Sequence, residues 1–182
     1  TSAVFNRTKL DWYNKQYLMK LDLNEVTRRA IPFFRNAGVL DNKEINEPEE
    51  FEFLKKVVAL ERSRALTLVE LVESVGFVFA NELAYEPELL LWKKNTPAET
   101  KLTLNELETY LNTIDVQDWH KPKLEEKVGE WIEKKGYSVG SVLWPMRVAL
   151  SGQKNSPGPH ELAEVLGKVK SQKRLTQASR LL

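Results

Sequence analysis

Apolar residues recur at spacings of three and four along most of the chain, the period of helices that bury one face. Trp12, Tyr13 and Tyr17 stand at helix-compatible spacing with Lys9, Lys15 and Lys20 interleaved, and the three rings are expected in the core, with base-stacking the alternative. Asp22 reads as an N-cap with Glu25 in the first turn, and Leu23, Val26, Ala30, Ile31, Phe33 and Phe34 follow in a helix that ends before Gly38. Residues 42–48 are polar and loop-like. Phe51, Leu54, Val57, Val58, Leu60 and Ala65 mark a long amphipathic helix, and residues 68–79 a helix buried on most sides. Pro87 and Pro97 break residues 81–97, where a junction is expected. Thr96-Pro97-Ala98-Glu99 combines a capping threonine, a first-turn proline and a glutamate at the third position, and predicts a helix to about Ile114. Pro122 opens the next, with Leu124, Val128, Trp131 and Ile132 inward as far as Gly136. Ser138 caps another, bent or broken at Pro145 and stopped at Gly152. Leu162, Val165, Leu166 and Val169, then Leu175, Ala178 and Leu181, define the closing helices. Strand alternation and internal repeats are absent, so the expected fold is all-α, with two packed helical subdomains at 21–80 and 81–182 preceded by a short segment at 1–20.

Composition adds little to that pattern: 42% hydrophobic and 29% charged residues describe an ordinary globular chain. Charge distribution adds more. The formal net charge is +1, yet residues 51–120 hold seven basic against twelve acidic side chains, and residues 121–182 hold twelve against six. A basic C-terminal third suits a phosphate-bearing partner, or is the solvated face of ordinary helices. Cysteine is absent, which excludes disulfides and thiolate metal sites. No run approaches a membrane span and no signal-peptide layout is present, so no membrane partner and a cytoplasmic location are expected. The chain opens on Thr1 without a methionine, as an excised fragment does.

Catalytic constellations are not evident. The eight glycines are scattered singly, without a phosphate-cradling loop, and His120 and His160 lack carboxylates at metal-ligand spacing. Glu99, Glu106, Glu108, Glu125 and Glu126 read as helix surface. The chain alone is expected to catalyse nothing and to hold no cofactor or metal.

One stretch points elsewhere. The run Leu143-Trp144-Pro145-Met146-Arg147-Val148-Ala149-Leu150-Ser151-Gly152 carries a single arginine, and Ser156-Pro157-Gly158-Pro159 leads from it into a helix beginning Glu161-Leu162-Ala163-Glu164-Val165-Leu166-Gly167-Lys168. Such a corner sets a guanidinium beside backbone donors, which suits an RNA base or phosphate; a buried hairpin with one snorkelling arginine is the alternative. The stretch resembles the C-terminal signature of bacterial-type glutamyl-tRNA synthetases, a class I family, with apolar-Pro-x-Arg-x-Ala-Leu-Ser/Thr-Gly followed by Ser/Thr-Pro-Gly and a helix ending Leu-Leu-Gly-Lys. Lys9-Leu10-Asp11-Trp12-Tyr13-Asn14-Lys15-Gln16-Tyr17-Leu18 resembles the family's Lys-Leu-x-Trp-x-Asn-x-x-Tyr-Ile, just beyond its catalytic domain in a region that contacts the tRNA stem. Arg62-Ser63-Arg64 before Ala65-Leu66-Thr67-Leu68 is a third, looser match.

The resemblance implies an anticodon-binding part of a glutamate–tRNA ligase, acting on the tRNA for glutamate as a monomer. Its parent would use ATP and magnesium in a domain whose two nucleotide loops have no counterpart here. By the same resemblance Arg64 reads the third anticodon base, with Arg62 the other choice of register, or else forms a surface salt bridge to Glu61 or Glu70. Arg147 with Ser156, Pro157 and Gly158 forms a second anticodon-reading element. Serine replaces the commoner threonine at 156, and proline replaces leucine at 159, where packing on an unstacked base is expected. Lys154 and His160 flank the loop as candidate phosphate or stacking contacts. Lys168, Lys170, Lys173, Arg174 and Arg180 form a basic cluster beyond it, for which a solvated helical face is the plainer reading. An all-α protein-interaction domain with a basic C-terminal surface is the competing function.

Overall fold

The structure, a computed structural model, describes residues 6–41, 45 and 47–182. Helices and irregular connections make up all of it, and no strand occurs among the described residues. The chain divides into two compact units, one ending at Ala80 and the other spanning Asn81–Leu182.

The first unit contains α1 (Arg7–Lys20), α2 (Leu23–Asn36), α3 (Pro48–Glu61) and α4 (Leu68–Val75), the last continued by a 3-10 turn over Gly76–Val78. Local chemistry sets their ends. The Asn6 side chain accepts from Lys9 N, Asp22 from Asn24 N and Thr67 from Glu70 N, each satisfying a donor that the first helical turn leaves open. α2 packs on α3 and α4 around Val26, Ala30, Phe34, Leu54, Val57, Val58, Leu71 and Val75, all buried. α3 stops at Glu61, short of the expected Ala65, whose N–H closes a turn onto the Glu61 carbonyl at 2.9 Å. The expected loop at 42–48 falls in part on residues 42–44 and 46, outside the described residues.

α1 departs from expectation. Trp12, Tyr13 and Tyr17 face solvent, Tyr17 at 65% exposure, and Leu18 is the one buried residue of the helix. Periodicity identifies a face but not its direction, and α1 is held instead by its C-terminal end. The Arg62 guanidinium donates to the carbonyls of Leu18 and Met19, both at 2.8 Å, and to that of Leu21. These include terminal carbonyls that a helix cannot satisfy itself.

The second unit contains α5 (Pro97–Asn112), α6 (Lys121–Lys135), α7 (Val139–Ser151) and α8 (Pro159–Leu181). Thr96 and Glu99 form a reciprocal capping box, with Glu99 Oε2 accepting from Thr96 N at 2.8 Å and Glu99 N donating to Thr96 Oγ1 at 3.3 Å. The bonds that Glu99 Oε2 accepts from Thr96 N and, at 2.9 Å, from Thr96 Oγ1 hold the Glu99 carboxyl below its ordinary pKa, so this glutamate is a cap rather than plain surface. α7 packs against both α5 and α8, and eight of its thirteen residues are buried. Of the bend or break expected at Pro145, the break does not occur: that burial carries the helix through, offsetting the hydrogen bond the proline cannot donate.

α8 hides an irregularity. Gly167 is non-helical at φ 74° and ψ 165°, so two helical segments meet there. The phase resets at that residue, and Val169, expected inward with Val165 and Leu166, is 82% exposed. The same reset brings cations inward. Lys168 Nζ donates to the carbonyls of Asn112, at the end of α5, and Ile114, just beyond it, at 3.0 and 2.6 Å. Arg174 is 1% exposed and its Nη1 donates to the Leu150 carbonyl at the end of α7. Burial lowers the Arg174 pKa to about 10, which leaves it charged at neutral pH, and raises that of neighbouring Tyr85 to about 12. Lys168 and Arg174 therefore leave the basic face to which the sequence assigned them.

Candidate nucleic-acid interface

The α7–α8 corner is built around Gly152, which ends α7 in the left-handed region at φ 69°, its N–H bonded to the Val148 carbonyl at 2.7 Å. Tyr85 packs where a side chain at 152 would stand, 3.2 Å from the position of a Cβ. The loop beyond folds back on α7. Ser151 Oγ meets Ser156 Oγ at 3.1 Å and accepts from Gln153 N at 3.2 Å. Ser156 and Pro157 are consequently buried, so the serine hydroxyl supports the loop from beneath. Gly158 N donates to Glu161 Oε2 at 3.4 Å, which uses a backbone donor that the sequence left for a ligand. Gly158 and Pro159 are half-buried and Lys154 is exposed.

Arg147 spans this corner. Its Nη2 donates to the Lys154 carbonyl at 2.9 Å, and its guanidinium carbon lies 4.6 Å from the ring centroid of Trp144. Trp144 precedes it by three residues, so the two share a helix face. The indole N–H of Trp144 donates to the Leu89 carbonyl at 2.9 Å, and Trp92 packs against the same indole at 5.4 Å between centroids. Trp144 and Trp92 escaped sequence reasoning. The three-residue offset of tryptophan from arginine was the available signal for the first; the second arrives from a distant segment.

His160 is buried rather than presented. Its Nε2 is enclosed without a hydrogen-bond partner, and Nδ1 lies 3.8 Å from Glu125 Oε1. Desolvation lowers its pKa below the ordinary 6.5, against the opposing pull of the Glu125 charge. The unfolded chain then binds a proton that the folded chain resists, so stability falls as pH drops from 6.5 towards the depressed folded value. Urea unfolding above and below pH 6.5 should show this loss, and His160→Gln should remove its histidine component.

Arg64 belongs to the first unit, in the turn after α3. Its side chain is 53% exposed and Nη1 pairs with Glu61 Oε1 at 3.2 Å. The two candidates of the Arg62–Arg64 register thus differ in kind: Arg62 is spent on α1 carbonyls and Arg64 faces water. Arg62→Ala is expected to lower stability by about 2 kcal/mol, since several carbonyls lose a charged donor, with no dependence on RNA sequence. Arg64→Ala should lower the thermal midpoint by less, since it removes one partner of the buried Glu61 carboxylate and no donor to a helix end. Melting curves of both variants check the assignment.

Among the described residues no group of three or more His, Asp or Glu side chains is placed to hold a metal ion, and no helix is long and apolar enough to cross a membrane.

Residues 25–179 match the family model described as an anticodon binding domain. The chain belongs to this family. The anticodon-binding domain is similar to the glutamate–tRNA ligase of Herpetosiphon aurantiacus, at 30% identity over 184 aligned residues that cover all of this chain and 36% of that protein. It is also similar to the glutamate–tRNA ligase of Clostridium acetobutylicum, at 33% identity over 95% of this chain and 34% of the relative. A crystal structure of a glutamate tRNA ligase from Elizabethkingia meningosepticum superposes with a TM-score of 0.80 at 22% identity, covering 99% of this chain and 33% of the other, and so shares the all-α fold. The chain thus spans about a third of the length of the curated relatives it matches.

Proposed function

We propose that this domain binds the anticodon arm of the tRNA for glutamate and serves a glutamate–tRNA ligase as its specificity element. The observation that carries the reading is the coincidence of two independent features: a family match over residues 25–179, and an arginine clasped at the α7–α8 corner between an indole and a loop carbonyl. A guanidinium so held offers a planar fork to a base edge and keeps its charge at any physiological pH. Pro159 supplies an apolar edge for an unstacked base, and Lys154 a charge for the adjoining phosphate. The inward hydroxyl of Ser156 and the Gly158–Glu161 bond set the shape of the loop. Arg64 reads a further anticodon base from the first unit. ATP and magnesium act in another part of the longer protein, which works in the cytoplasm as a monomer.

The basic C-terminal third contributes less field than its composition suggests. Lys121, Lys123, Lys127 and Lys135 pair with Glu161, Glu126, Asp118 and Glu106, while Lys168 and Arg174 are turned onto carbonyls. Specific contacts must therefore dominate over non-specific attraction. Binding of glutamate tRNA and of an unrelated tRNA across a salt series tests this: the glutamate tRNA should bind more tightly at every salt concentration, and equal affinities would overturn the proposal.

A further inference from the structure

Four side chains of the second unit stack in succession beside the α7–α8 corner. Lys93 Nζ lies 5.1 Å from the Trp92 ring centroid, the Trp92 and Trp144 centroids are 5.4 Å apart with planes inclined at 41°, and the Arg147 guanidinium carbon lies 4.6 Å from Trp144. A cation thus lies over each indole of the pair, an arrangement that the negative ring faces favour.

Four features pin the stack. Trp144 is tied through its N–H to the Leu89 carbonyl, and Arg147 to that of Lys154. Gly140 leaves room for Trp92, whose indole would come within 2.4 Å of a Cβ at that position. Lys93 itself has φ of 52°, the only positive φ at a non-glycine residue among the described residues. Its turn closes through Asn95 N onto the Trp92 carbonyl at 2.9 Å. A side chain is rarely held in that region unless its surroundings over-determine it, and such strain concentrates at binding sites.

We propose that the Trp92–Trp144 pair is the platform that positions Arg147 for base reading, and that Lys93, at the far end of the same stack, contacts an RNA phosphate. The inference rests on the anticodon reading given above. An arginine on a free stem must surrender several rotamers to engage a base edge; one already laid on an indole surrenders fewer. Lysine lacks the planar fork and acts as a point charge, so Lys93, exposed beside exposed Lys94, suits a phosphate rather than a base. Both lysines lie in the acidic part of the sequence, where a count of charge by segment conceals them.

The test uses the full 182-residue chain with two anticodon stem-loop RNAs, one carrying the glutamate anticodon and one with its anticodon bases changed, titrated over a salt series. Trp144→Leu should lower the ratio of the two affinities by about tenfold while leaving the salt slope as it was. Trp144→Phe, which keeps a ring under Arg147, should restore most of the ratio. Should Trp144→Leu fail to fold, Trp92→Leu carries the same expectation. Lys93→Gln should weaken both RNAs alike and reduce the salt slope by about one. A folded Trp144→Leu or Trp92→Leu chain with an unchanged ratio overturns the platform, and an unchanged slope for Lys93→Gln overturns the phosphate contact. Arg147→Ala separates the two levels: if it too leaves the ratio unchanged, the anticodon reading has failed, whereas a normal Arg147 loss beside an unaffected Trp144→Leu variant rejects the platform alone.

Discussion

Arg174→Ala is expected to destabilise the chain by about 3–5 kcal/mol, combining the cavity left by a large buried side chain with the Leu150 carbonyl stripped of its donor. In a melting experiment this corresponds to a fall in midpoint of roughly 10 °C. Lys173→Ala, one residue away on the exposed side, should change stability by no more than about 0.5 kcal/mol. Arg174→Lys should recover only part of the loss, because a single ammonium cannot reproduce the arginine's fork or volume. Equal and small effects at 173 and 174 would return Arg174 to the solvated basic face.

The second large effect is expected in binding. Arg147→Ala should cost about 1–3 kcal/mol of affinity for glutamate tRNA, the worth of a good base-reading fork, and much less against a tRNA whose anticodon already mismatches. Losing the Lys154 tether should also cost about 1 kcal/mol of stability, so a melt must accompany each titration. Arg147→Lys is the discriminating variant. It keeps the charge and loses the plane, so the salt slope should survive while the preference for the glutamate anticodon falls. Equal losses on every tRNA would make Arg147 a phosphate contact, because phosphates carry no sequence information.

Helix ends were legible wherever a few consecutive residues settle them. Asp22, Thr96 and Ser138 accept from the N–H groups two or three residues ahead, and Gly136 and Gly152 take the left-handed conformation that ends a helix. The residues that carry the family resemblance were legible for a similar reason, since a motif is a local string. The loop after Gly152 shows where that legibility stops: its residues stand in the anticipated order, but Ser156 and Pro157 point inward because Ser151 supplies the partner beneath them.

The sequence by itself determined the all-α class, most helix boundaries and the family, because period, caps and motif spacing are properties of neighbouring residues. Only the tertiary structure decided the fate of each cation and each aromatic ring. Arg62 and Arg64 are two positions apart, yet one is spent on carbonyls more than forty residues away and the other faces water. Lys168 and Arg174 were turned inward by the break at Gly167, and the rings of α1 were left outside because the end of that helix, not its face, is what the unit holds. A long charged side chain costs little in water and must find oxygen acceptors when buried, so its role is set by whichever carbonyls the fold brings within reach.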